Sequence, residues 1–181
     1  MLVWVGATGL SGIQSTSAAV SSVYNDHLVA IERLGEIRNN QMQMQIIMAA
    51  ARLETDPFEI VTQTDKIGGL IFRTDGLLKT DEARAKSAEE KTLYDAFLQA
   101  RQNFGRTGVL PMINLLQAEN FKEADDLRKT VMDPAYAKAS AAIDALLKYQ
   151  VDAARAEYES ATAYAAKIRV VSIASIVAGL V

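Results

Sequence analysis

The chain has 181 residues, half of them hydrophobic and 23% charged, with a formal net charge of −3 and no cysteine. That length suffices for one domain with a real core, and the missing cysteine excludes disulfides, thiolate metal sites, CxxCH haem attachment and a cysteine nucleophile. No basic block occurs, so nucleic acid is not an expected partner; ten glycines and three prolines leave few turns and favour long helices.

Residues 1–13, MLVWVGATGLSGI, are apolar and uncharged, and so are residues 170–181, VVSIASIVAGLV. A membrane-crossing helix needs ~20 apolar residues, and each end supplies little more than half of that. The first run also lacks the charged start of a signal peptide. The two runs read either as ordinary buried helix ends or as the end of one membrane span and the start of another. On the second reading the chain is a segment of a longer protein. Lys167 and Arg169 then sit at the membrane surface, and residues 14–169 form one loop on one side of it.

The first helix is expected over about Thr16–Leu53, continuous with the N-terminal run. It carries two stripes at helical spacing. One is Tyr24, Leu28, Ile31, Gly35, Arg38, Met42 and Ala49; the other is Leu34, Ile37, Gln41, Met44, Met48 and Ala51. Burial on two sides suits a helix that packs in its own bundle and against a second copy. In TDPFE, Asp56 is a good N-cap, Pro57 suits the first helical position and Glu59 adds first-turn charge. The second helix runs to about Lys79, with Gly68 and Gly69 in its middle. TDEARAKSAEEK then reads as a surface turn or frayed end with solvated carboxylates.

The third helix, about Ala88–Ala118, places Leu93, Phe97, Ala100, Phe104, Thr107, Pro111 and Leu115 at core spacing, and Pro111 should kink it. QAENF is a short turn. The fourth helix starts near Phe121, and Asp133 before Pro134 offers a second cap, hence a kink or restart. From there Tyr136, Ser140, Ile143, Leu147, Gln150, Ala154, Tyr158, Ala161 and Ala165 lead into the second apolar run. No stretch alternates with strand period. The fold class is therefore all-α, an antiparallel up-down-up-down four-helix bundle.

Enzyme chemistry finds no foothold. A di-iron bundle needs two Glu-x-x-His pairs, and His27 is the one histidine. There is no GxxxxGK[ST] or GxGxxG loop, and no nucleophile motif accompanies His27. No cofactor, metal or catalytic residue is expected.

The order of these helices between two apolar ends resembles the four-helix-bundle ligand-binding domain of bacterial methyl-accepting chemotaxis receptors. The likeness covers nearly the whole chain. It is carried by YNDHLVAIERLGEIRNN after the first run, by LYDAFLQARQNFGRTGVLPMINLLQAENFKEADDLRKTV with its Leu-Leu-x-Ala turn, and by AAIDALLKYQVDAARAEYESA before the second run. The resemblance implies a homodimer paired through the first helix, anchorage in the inner membrane through both ends, and a periplasmic domain. It also implies a small-molecule attractant or repellent and a chemotaxis output. The same module occurs on some histidine kinases and cyclases.

One stretch resists the apolar reading. IRNNQMQMQ, residues 37–45, sets Arg38 and the amides of Asn39, Asn40, Gln41, Gln43 and Gln45 into the middle of the first helix. A charge on an apolar stripe is costly unless it is paired or wet. Arg38 either reaches out to solvent or stands at an anion site on the subunit interface. In the aspartate and serine receptors of the resembled family, arginines on the first helix clamp the ligand carboxylate, and Arg38 is similar to the first of them by position. Where that pattern continues with further arginines, this chain has Gln43 and Ile47. Counting from the far end of the bundle puts Arg73, Arg101, Arg106 and Tyr136 in one layer with Arg38. Arginine forks suit carboxylates, Asn39, Gln41 and Gln43 suit hydroxyls, and Gly68 and Gly69 leave bare backbone. The expected ligand is a small organic acid such as a di- or tricarboxylate, bound at Arg38, Asn39, Gln43, Arg73, Arg101, Arg106 and Tyr136. The alternatives are a dimerisation module of another signalling protein, or a docking site for a periplasmic binding protein.

Overall fold

The computed structural model describes residues 2–84 and 86–179. Met1, Ala85, Leu180 and Val181 lie outside the described residues, as do the side chains of residues 2–10, 24–26 and 176–179. The helices are α1 (Leu2–Ser22), α2 (Val29–Leu53), α3 (Pro57–Glu82), α4 (Ala88–Asn103), α5 (Leu110–Gln117), α6 (Phe121–Leu127) and α7 (Asp133–Gly179). Three π-helical segments, Val23–Leu28, Phe104–Val109 and Arg128–Met132, bridge α1 to α2, α4 to α5 and α6 to α7. The helices thus form four arms, and no strand occurs among the described residues. No helix among the described residues is long and apolar enough to cross a membrane.

Two compact units divide the chain. In the unit made of residues 32–148, four contacts close a ring of arms. Asn40 on α2 bonds Thr74 on α3, and Asp75 on α3 pairs with Arg101 on α4. The ring of Phe104 lies 5.6 Å from that of Tyr136 on α7, and Asp144 on α7 pairs with Arg38 on α2. Farther along, Thr64 meets Gln117 and Arg52 meets Asp125, so neighbouring arms run antiparallel.

The inner stripe of α2 accounts for this packing. Leu34, Ile37, Gln41, Met44, Met48 and Ala51 are all buried. They meet Ile67 and Leu78 of α3, Phe97 of α4, Leu116 of α5 and Ile143 of α7. Each of the Leu, Ile, Met and Phe side chains among them contributes roughly 1.5–3 kcal/mol by leaving water. The outer stripe behaves differently: Leu28 and Met42 stay 47% and 48% exposed, and Ile46 and Leu53, which follow Met42 and Ala49 by four residues on the same side, 59% and 81%.

The turns follow their local chemistry. Asp56 caps α3 by accepting from the Phe58 amide at 2.9 Å, with Pro57 behind it. At QAENF the amides of Glu119 and Asn120 donate back to the carbonyls of Leu116 and Leu115. That is a Schellman closure, and it holds Glu119 at φ 57°.

Three expectations need correction. First, the arms pass Pro111 and Pro134 by way of π segments rather than by a cap. A proline ring clashes with the carbonyl four residues earlier; those residues, Thr107 and Thr130, lie inside π segments, where bonds to i+5 open the turn. Asp133 has helical φ/ψ and caps nothing. Second, α3 extends to Glu82, and the carboxylates of the charged turn are not all solvated. Asp81 and Glu90 are 1% and 4% exposed. Arg84 pairs with both, and Lys86 with Asp81. Burial works against the Arg84 cation, but its bond to Glu90 and the charges of Asp81 and Glu90 outweigh that and raise its pKa. Third, the fourth arm faces Arg38 with Asp144, well past the expected Tyr136.

The other unit joins residues 1–31 to residues 149–181. The two segments pack antiparallel. A Cβ at Gly12 would come within 2.9 Å of the Ile168 side chain, while His27, at the other end, reaches Gln150 and Glu157.

Candidate ligand-binding cavity

Successive residues of a helix are turned by about 100°, so the amides of IRNNQMQMQ cannot share one environment. Asn40 and Gln41 turn inward and are 1% and 3% exposed. Asn39 and Gln43 are exposed. Asn40 is satisfied, its Nδ2 donating to Thr74 Oγ1 at 3.2 Å. Gln41 is not: neither its Oε1 nor its Nε2 has a partner among the described residues.

Gln41 lines a cavity of about 230 Å³ bounded by α2, α3 and the α4–α5 arm. Its apolar wall is Met44, Ile71, Phe104, Val109 and Leu110, and its polar groups besides Gln41 are Thr74, Asp75, Arg101, Gln102 and Arg106. Phe104, Gly105, Arg106 and Val109 come from one π segment, which explains how a hollow opens beside an otherwise regular helix. Arg101 Nη2 lies 2.6 Å from Asp75 Oδ1, so its charge is matched inside the cavity wall. Arg106 is exposed and forms no ion pair among the described residues, while Asp75 on the same cavity pairs with Arg101.

A second cavity, of about 310 Å³, lies farther along the same arms and is lined by Gln45, Met48, Arg52, Met112, Asp125 and Met132 among others. Here the cation is already spoken for. Arg52 donates to both oxygens of Asp125, at 3.0 and 2.8 Å. Its guanidinium also lies 4.8 Å from the Phe121 ring centroid. That two-bond grip holds the Asp125 carboxyl below the usual range. Arg128 and Asp133 add one charge of each sign to the wall.

The expected layer is thus divided. Arg101 and Arg106 come together with Gln41 on the smaller cavity. Arg38 is half-exposed and lies 3.0 Å from Asp144, itself exposed; such a pair is worth at most about 1 kcal/mol. Arg38, Asn39, Gln43, Arg73 and Tyr136 do not line the cavity. Arg73 is exposed, and Tyr136 is half-buried against Phe104. Gly68 and Gly69 face open space, with nothing within 4 Å of a Cβ on either. Thr74 and Asp75 were missed in the sequence reading, although Ile67, Leu70, Thr74 and Leu78 recur at core spacing and all four are buried.

No curated protein and no solved structure matches the chain. One family does, over residues 1–165, and the all-helical ring of arms agrees with it. The chain belongs to the family described as the four helix bundle sensory module for signal transduction.

Proposed function

We propose that this sensory module is the extracytoplasmic ligand-binding domain of a transmembrane chemoreceptor, and that it detects a small organic acid. The observation that carries the membrane placement is the pairing of residues 1–31 with residues 149–181. Residues 2–13 and 170–179 thereby leave in the same direction, past the contact of Gly12 with Ile168. Two adjacent helices leaving together suit anchorage of both ends in one bilayer. In bacteria that membrane is the inner one, with residues 14–169 in the periplasm.

Signalling then needs no chemistry on the ligand. A ligand that binds one arrangement of the arms better than another shifts the balance between them. α7 carries the shift, because it runs without a break from Asp133 to Gly179. The exposed outer stripe of α2 supports pairing of two copies along the first arm.

Thermal unfolding of the chain across a panel of mono-, di- and tricarboxylates tests direct sensing. A saturable rise in melting temperature with one acid is the expected result, growing as RT ln(1 + [L]/Kd). No shift with any acid would overturn direct sensing and favour a module that docks a soluble binding protein or only dimerises.

A further inference from the structure

We propose that the cavity at Gln41 is a ligand site within each protomer. Its ligand is a small monocarboxylate with an apolar, ring-sized body and a hydroxyl or amide group at the end away from the carboxylate. The proposal rests on the sensor reading above and narrows it to one place and one kind of acid.

Gln41 is the starting point. It stands on the inner stripe of α2 between Ile37 and Met44, where an apolar side chain would pack. A buried amide without a partner costs more than a made bond returns, so native proteins seldom keep one without a use. Asn40, its neighbour, shows that this part of the bundle does satisfy amides, through Thr74. Gln41 is left facing a hollow instead.

The lining specifies the ligand. An amide donates through its nitrogen and accepts through its oxygen. A group that does both in return, a hydroxyl or another amide, matches it. The wall beside it is apolar and includes the Phe104 ring, which calls for an apolar body. About 230 Å³ falls below the usual range for ligand pockets, which limits that body to the size of a single ring. Arg101 is already matched by Asp75, so Arg106 alone has a charge to offer. One guanidinium fits one carboxylate. A di- or tricarboxylate would bring charge that the wall does not balance.

The test uses the whole chain with 4-hydroxybenzoate as probe, and benzoate and citrate as comparisons. Calorimetric titration should show saturable binding of 4-hydroxybenzoate to the unaltered protein, at least tenfold tighter than benzoate. Gln41→Leu should weaken 4-hydroxybenzoate by about tenfold or more and leave benzoate nearly unchanged. Arg106→Gln should weaken both acids by similar factors. The free Gln41→Leu protein should melt at or above the temperature of the parent, which separates lost recognition from lost folding. Binding of 4-hydroxybenzoate that ignores Gln41→Leu would overturn the site. Citrate binding untouched by either variant would overturn it too, while leaving the sensor reading in place. No binding of any acid would leave a water-filled cavity and remove both.

Discussion

Tyr94 sits under the α3–α4 turn, its hydroxyl donating to the Leu78 carbonyl at 3.2 Å and Lys86 over its ring at 4.3 Å. Burial, helped by the charges of Asp81 and Glu82, pushes its phenol from 10.0 up to about 12. As the pH rises the unfolded chain ionises first, so above pH 10 it holds fewer protons than the folded one, and stability falls until the folded phenol also ionises near pH 12. Melting temperature should therefore drop more steeply between those limits for the parent than for Tyr94→Phe; parallel curves would count against the buried phenol. The polar residues around Tyr94 also show what a sequence hides. Asp81 and Glu90 read as solvated because they stand among charges in TDEARAKSAEEK. Only the fold brings Arg84 and Lys86 against them. IRNNQMQMQ has the same property. Its helical phase does place Gln41 on the inner stripe, yet nothing in the spacing says that Asn40 finds Thr74 while Gln41 finds none.

Among the elements, the α5–α6 turn keeps a side chain where the backbone prefers none. Glu119 is left-handed at φ 57°, a region that costs an ordinary residue roughly 1–2 kcal/mol and glycine very little. Glu119→Gly should stabilise the chain by about 1 kcal/mol, raising the melting temperature by about 2–4 °C. A neutral or lowered value would mean that the Glu119 side chain contributes at the turn. The arms themselves were legible, since Leu34, Ile37, Met44 and Met48 recur at helical spacing and are buried in the bundle. The π segments that carry the arms past Pro111 and Pro134 were not, because they have no signature in an apolar pattern. The heights counted along the fourth arm also missed, since Asp144 rather than Tyr136 stands level with Arg38.

For the whole molecule the question is what covers the outer stripe of α2. The chain has no cysteine, so a single introduced one reports without background. Ile46→Cys, on the 59% exposed Ile46, should form a disulfide between two copies on mild oxidation, whereas Lys66→Cys on the exposed side of α3 should stay monomeric. The bond needs Cα atoms within about 7 Å of each other, so equal yields from both variants, or none from Ile46→Cys, would remove the stripe as an interface. Such a dimer would have a geometry of its own. Gly35, Met42 and Ala49 recur every seven residues along the stripe, and so do Asn39, Ile46 and Leu53. A straight α-helix drifts by ~20° per heptad, so two copies that keep this seam in contact must wind into a left-handed supercoil. Sliding one strand of that coil along the other is then also a rotation, and a pure piston stroke is not open to it. Asn39, a polar residue in this seven-residue repeat, gains most when it faces its own copy, which sets one register against its neighbours.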